Sequence, residues 1–342
     1  MMQPRSPLLA ALAGVFAIAG AAGCRDTQAS SQAGSAAAGE ARPPAELRLD
    51  YATYNISSLV LKRNRWLEQE LARDGIAVRW VLSQGSNKAN ELLASGSVDL
   101  ASKAGAAALL ARSNGVPLKV VYVYAKPAWS GVVVGASSPI TTVAGLRGKK
   151  IAATRGTDPF FFLLRSLREA GLDPSDVELV HLQHADGRTA LQRGDVDAWA
   201  GLDPFMADAE LREHARVIYH NADLNTFGTL NAREDFLTRH PALVERVIAQ
   251  YERARHWTIE HPRDAAALLA EDSRFELDVA LRQLGERTVL DRDVGVPGAA
   301  LRTALEAVVP ILIRDKLVGA GADPAQALAE LLAPAAAQAV IH

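Results

Sequence analysis

The chain has 342 residues, of which 49% are hydrophobic and 22% charged. That is ordinary for a globular protein and long enough for two cores. Lysine and arginine number 37 against 39 acidic residues, so the chain lacks the basic field that nucleic acid requires, and no nucleic-acid partner is expected.

Met1 to Gly23 places Arg5 ahead of an apolar run, Leu8 to Gly20, and closes on Ala21-Ala22-Gly23-Cys24. This is the layout of a secretory leader, too short for a comfortable membrane span. Small residues directly before the lone Cys24 resemble a bacterial lipobox, in which the cysteine is acylated and becomes the new N-terminus. Ala21 stands where such boxes usually carry Leu, which leaves cleavage as a plain secreted protein open. With one cysteine there is no intramolecular disulfide. Arg25 to Ala45 is Ala, Ser, Gly and Gln with two prolines and no apolar period, so it reads as a flexible tether. The expectation is a leader over 1–23, a tether over 24–45, and a periplasmic, monomeric domain held to a membrane through Cys24.

Leu47 to Tyr51 alternates and predicts the first strand, followed by a helix over Leu59 to Ala72. Ile76 to Leu82 is the second strand. Ser86-Asn87 opens a helix through Leu93, and Val98 to Ala101 is the third strand. Ser102 to Gly105 turns into a small-residue helix, and Leu118 to Tyr124 is a strand of β-branched and aromatic residues. Ala125 to Ser130 breaks the pattern and predicts a crossing into a second lobe. There follow a strand at Gly131 to Val134, a short helix at Ile140 to Leu146, a strand at Lys149 to Ala153, an aromatic helix at Phe160 to Ala170, and a strand at Val177 to Leu182. After a further strand at Ala215 to Tyr219, the turn-rich Asn221 to Thr229 marks the return. Beyond Arg233 the chain is almost all helix, including one predicted over Gly298 to Lys316 with Pro310 inside it. Strands alternating with helices predict largely parallel sheets.

Two phrases match. Gly96-Ser97-Val98-Asp99 and Gly194-Asp195-Val196-Asp197 each follow a helical run and begin a strand. The glycine suits a helix end because it tolerates a positive φ. Arg73-Asp74-Gly75-Ile76 and Glu169-Ala170-Gly171-Leu172 match likewise. Two matches in the same order predict two α/β lobes of related build with a cleft between them. In the second lobe the strand is read as Val196 to Trp199, with Trp199 and Asp203 at its carboxyl end, where open α/β sheets bind ligands.

Three loops follow strands and open helices: Tyr54 to Ser58, Ser102 to Gly105, and Arg155 to Asp158. Each offers backbone N–H groups at a helix N-terminus, a ready anion site. Any one of them, through Ser57, Asn87 or Asp158, could be capping alone; three at one edge favour a ligand. Tyr54, Trp129, Trp199 and Phe160 lie at strand ends or crossings, where aromatics can pack on the organic part of a ligand. Enzyme signals are poor. There is no Gly-x-Ser-x-Gly, His-Glu-x-x-His or P-loop. His181 and His184, three apart at a strand end, diverge and make a poor metal pair. No cofactor or metal is expected.

Gly96 to Asp99, Val143-Ala144-Gly145-Leu146-Arg147-Gly148-Lys149-Lys150-Ile151-Ala152, Arg155-Gly156-Thr157, Gly194 to Trp199 and Asp203-Pro204-Phe205 together resemble the periplasmic solute-binding proteins of ABC importers, of the aliphatic sulfonate, taurine and nitrate type. The resemblance runs from about Glu46 to the final helices. It implies the two-lobed type II binding-protein fold: α/β lobes, each a mostly parallel sheet flanked by helices, with a helical C-terminal region. Lobe 1 is expected over 46–130 and 226–342, and lobe 2 over 131–225. It implies capture of a small organic anion, most readily a sulfonate, for delivery to an ABC permease in the inner membrane, without catalysis. The ligand residues expected from the loops, the aromatics and the resemblance are Tyr54, Asn55, Ser102, Lys103, Trp129, Gly156, Thr157, Asp158, Trp199 and Asp203. Two departures from the family pattern stand out. Ser102-Lys103-Ala104 replaces Thr-Gly or Gly-Thr, and Leu202 stands where a second Trp often precedes Asp-Pro. An enzyme of pyrimidine-precursor synthesis on the same fold, or a ligand-sensing subunit, are the alternative readings.

Overall fold

The computed structural model describes residues 42–341. The leader, Cys24 and the tether up to residue 41 lie outside them. The first run comprises β1 (Glu46–Tyr51), α1 (Ile56–Asn64), α2 (Trp66–Leu71), β2 (Ala77–Leu82), α3 (Ser86–Ala94), β3 (Leu100–Ala104), α4 (Gly105–Ser113) and β4 (Leu118–Pro127). Only Ala128 and Trp129 separate β4 from β5 (Ser130–Val134). Next come β6 (Lys150–Ala153), α5 (Asp158–Glu169), β7 (Glu178–His181), α6 (His184–Arg193), β8 (Ala198–Leu202), α7 (Phe205–Glu213) and β9 (Arg216–Tyr219). Residues 220–227 lead back to β10 (Gly228–Arg233). The remainder is α8 (Glu234–Arg239), α9 (Pro241–Glu260), α10 (Pro262–Ser273), α11 (Leu277–Arg287), the short β11 (Thr288–Val289), α12 (Ala299–Glu306), α13 (Val309–Arg314), α14 (Pro324–Leu331) and α15 (Ala335–Gln338).

Two sheets result, in the orders β11-β4-β10-β3-β1-β2 and β7-β6-β8-β5-β9. Reading β1, β2, β3 against β6, β7, β8 gives the same layout twice, each with a strand from a crossing inserted beside the third. The sheets are mixed rather than largely parallel. β10 runs antiparallel to β3 and β4, and β5 runs antiparallel to β8 and β9. The reason is geometric. Strands joined through helices all point their C-terminal ends at the space between the sheets. A strand arriving from that space starts at the same edge and must run the other way.

The repeated Gly-x-Val-Asp phrase acts at the opposite edge. Gly96 and Gly194 sit at helix ends with φ of 69° and 77°. The Asp99 carboxylate accepts from the Arg48 amide at 3.0 Å, and the Asp197 carboxylate accepts from the Lys150 amide at 2.9 Å. Each aspartate also donates its own amide to that same residue's carbonyl. The phrase therefore staples the third strand of each unit to the start of its first.

Helix α5 is buried almost all round through Phe160, Phe161, Phe162, Leu163, Leu164 and Leu167, because the second sheet and the first sheet's helices enclose it. Helix α9 buries Leu243, Val244, Val247, Ile248, Tyr251 and Ala254 at helical spacing on the other core. The single helix expected across Pro310 is two, α12 and α13, with Pro310 in the first turn of the second. Proline lacks the N–H an internal turn needs but fits a first turn, where that N–H has no partner.

Candidate functional site

The C-terminal edges of the two sheets face one another across a small pocket with a cavity volume of about 10 Å³, the room of a single water. Tyr54, Ser86, Trp129, Thr157, Asp158, Pro159, His184 and Leu202 line it. Each follows or ends a strand: Tyr54 after β1, Ser86 after β2, Trp129 after β4, Thr157 after β6, His184 after β7, and Leu202 at the end of β8. A larger hollow of about 570 Å³, with Gly135, Gly194 and Ala215 in its walls, lies at the opposite edge of the second sheet, where the strands begin.

Three helices, α3, α5 and α6, open onto the pocket with no side chain capping their first turn. Their leading N–H groups are thus available to an acceptor, backed by the partial positive charge of a helix N-terminus. The Ser86 hydroxyl accepts from the Ala104 amide at 3.0 Å and keeps its own proton to give. Among the described residues no lysine or arginine lines the pocket.

The walls are held by bonds that cross between the two halves. Asp158 accepts from Trp129 Nε1 at 2.8 Å, from the Thr226 amide at 3.0 Å and from the Thr226 hydroxyl. Burial raises its pKa against the pull of those donors. The Trp129 ring meets Tyr54 edge-on, with centroids 5.9 Å apart. Behind Tyr54 lies Asp50, fully buried, accepting from Ser83 Oγ at 2.6 Å and from the Ser102 amide at 2.7 Å. Burial pushes the Asp50 carboxyl up to about 6. Tyr54 Oη lies 3.0 Å from Ser83 Oγ and donates to the Ser102 carbonyl at 3.1 Å, so Tyr54 offers the pocket its ring.

Four of the residues expected from sequence meet here: Tyr54, Trp129, Thr157 and Asp158. Gly156 supplies the left-handed turn, φ 79°, that leads into α5. The others do different work. Ser102 gives its hydroxyl proton to Asp50. Asn55 caps α1, accepting from the Ser58 amide. Lys103 lies within β3, fully buried, and its ammonium donates to Asn90 Oδ1 at 2.6 Å; burial pulls its pKa down to about 7.

Trp199 is in the core of the second sheet, fully buried against α6 and α7. The strand begins at Ala198 and runs to Leu202, so the position at its carboxyl end belongs to Leu202. Alternation along the strand turns Trp199 to the face covered by α6. Asp203 accepts from Arg287 at 3.0 Å and from the Ala207 amide at 3.0 Å, a buried pair rather than a pocket wall. Arg287 also binds Glu210, tying α11 to α7. Sequence reasoning missed Ser86, Pro159, His184 and Leu202 as lining residues. Ser86 had a signal, since it opens a helix after a strand as Asp158 does.

Two like α/β units with their strand ends facing one another across a pocket define a two-lobed solute-binding protein. The family described as "NMT1/THI5 like" matches residues 71–265. The aliphatic sulfonates-binding protein of Escherichia coli is 34% identical over 74% of this chain and 79% of its own length. The taurine-binding periplasmic protein of the same organism is 28% identical over 76% and 74%. Among solved structures, the alkanesulfonate-binding protein of Xanthomonas axonopodis pv. citri, bound to MOPS, superposes with a TM-score of 0.76. It is 28% identical and covers 83% of this chain and 98% of its own. The chain belongs to the NMT1/THI5-like family, beside the sulfonate- and taurine-binding proteins, and has the periplasmic binding-protein fold.

Proposed function

We propose that this protein is the substrate-binding component of an ABC importer, capturing a small organic anion of the sulfonate class between its lobes. The observation that carries the reading is the meeting of three uncapped helix N-termini, α3 from one half and α5 and α6 from the other, at one pocket with Trp129 and Tyr54 in its walls. A sulfonate is a permanent anion with three acceptor oxygens. Helix N–H groups and a free hydroxyl match it without a full counter-charge. The aromatic walls suit the carbon end.

Residues 46–130 with 226–342 act as one lobe and 131–225 as the other, closing when ligand joins the two sets of N–H groups. Binding is noncovalent and the ligand leaves unchanged. The mature protein is a periplasmic monomer, anchored by a lipid on Cys24, that hands its ligand to an inner-membrane permease. Gly156, Thr157 and Asp158 at α5, together with Tyr54 and Trp129, are its binding residues.

A thermal-shift series on the domain from Glu46 tests this. Ligand that binds only the folded state raises the melting temperature by mass action. A rise with short alkanesulfonates and none with nitrate or neutral pyrimidines supports the reading. A rise with a pyrimidine alone, accompanied by its turnover, replaces it with an enzyme.

A further inference from the structure

His184, the first residue of α6, is 1% exposed and lines the pocket. Its Nε2 has no hydrogen-bond partner among the described residues. Its Nδ1 lies 3.2 Å from Thr154 Oγ1, and that hydroxyl donates to the Leu182 carbonyl at 2.8 Å. A threonine hydroxyl has one proton. Both contacts are satisfied together only when Nδ1 carries a hydrogen and Thr154 accepts it. In the neutral ring Nε2 is then a bare acceptor. Burial pulls the ring's pKa down to about 3, so it stays neutral in ordinary media.

Gly85 approaches that nitrogen closely: a Cβ there would stand 3.3 Å from Nε2 and Cδ2 of the ring and 2.8 Å from Asn87 Oδ1, a second buried acceptor without a partner among the described residues. A buried acceptor without a donor is destabilising, and a ligand can relieve it. A sulfonate oxygen cannot, because it too only accepts. The carboxylate of Asp158 in the same wall adds negative character, and among the described residues no cationic side chain lines the pocket to offset it.

We infer that the occupant carries an N–H or O–H donor besides its anionic head, and that His184 selects for that donor by accepting at Nε2. The chemical class is a short amino- or hydroxyalkanesulfonate. This rests on the anion-binding reading above. The head group meets the helix N-termini and the Ser86 hydroxyl. The donor at the other end meets His184.

The test compares three sulfonates of nearly equal size by calorimetry: 2-aminoethanesulfonate, 2-hydroxyethanesulfonate and propane-1-sulfonate. The protein should bind at least one of the first two about tenfold or more tighter than the third, since a site built to accept a hydrogen bond rejects the analogue lacking it. His184→Leu should bring that ratio close to one. Should His184→Leu fail to fold, His184→Asn is read the same way. The ¹⁵N resonances of the wild-type ring give an independent check, with hydrogen on Nδ1 and none on Nε2 expected. Equal binding of all three sulfonates, an unchanged ratio in the variants, or a protonated Nε2 overturns the inference and leaves the anion site standing. Binding of none of the three removes the anion site and the inference with it.

Discussion

Asp158 gives both carboxylate oxygens to neutral donors on the two crossings, Trp129 on one and Thr226 on the other. Trp129 thus packs on the pocket and holds its wall at once. Trp129→Ala should weaken sulfonate binding by roughly 10- to 100-fold, the scale of a buried aromatic anchor, in a calorimetric titration. Trp199→Ala should do the reverse. It opens a cavity in the second core costing about 3–5 kcal/mol in urea unfolding, with affinity of the folded fraction close to the parent's.

Asp50 makes a second residue-scale prediction. Its pKa is about 6 in the fold against about 3.9 unfolded, so the native state binds more protons between those values. The stability it contributes is full below about pH 4 and is lost as pH rises through 6. Asp50→Asn removes that slope. The variant should gain on the order of 3 kcal/mol relative to wild type between pH 4 and pH 7, read as the change in the difference between their unfolding free energies.

At the scale of the element, α6 lies on β8 through Gly187. A Cβ at Gly187 would stand 2.8 Å from Trp199 Cδ1 and Nε1. In an exposed helix Gly→Ala gains about 1 kcal/mol. Here Gly187→Ala should instead cost about 1–3 kcal/mol, because a buried indole ring cannot yield. A stabilised variant in urea unfolding would mean the helix stands off the sheet.

Element order and helix placement were legible because glycine ends, apolar periods and strand runs are local signals. The ends of strands were less so. Val196 is β-branched and reads as strand, yet it lies in the bend that brings Asp197 onto Lys150. The strand starts two residues and ends three residues later than expected, so the end position expected at Trp199 belongs to Leu202. Asp203 was illegible for another reason. Its partner Arg287 is 84 residues away, and pairing at that separation leaves no local pattern. The role of His184 depends on Thr154, 30 residues back, and on Gly85 from the facing unit.

Across the whole molecule, several ion pairs join 131–225 to 226–342, among them Arg168–Asp315, Arg212–Asp278 and the buried pair of Arg287. Arg287 joins Asp203 and Glu210 on α7, while its carbonyl accepts the Ala128 amide beside the first crossing. Breaking a buried pair strands the remaining charge at about 3–5 kcal/mol, a cost the closed form bears and an open one relieves through water. Arg287→Met should therefore shift the ligand-free protein toward an open form, with a larger radius of gyration in solution scattering and faster ligand release. An unchanged radius and release rate would mean the pair supports α11 alone.

The central claim is capture of a small sulfonate in the pocket where α3, α5 and α6 begin. Calorimetric titration of the domain from Glu46 with 2-aminoethanesulfonate and 2-hydroxyethanesulfonate tests it most directly. One saturable site per chain is expected for at least one of them, weakened by Trp129→Ala and retained in Trp199→Ala. Absence of binding by both to protein that melts cooperatively, or binding that ignores Trp129, would contradict it.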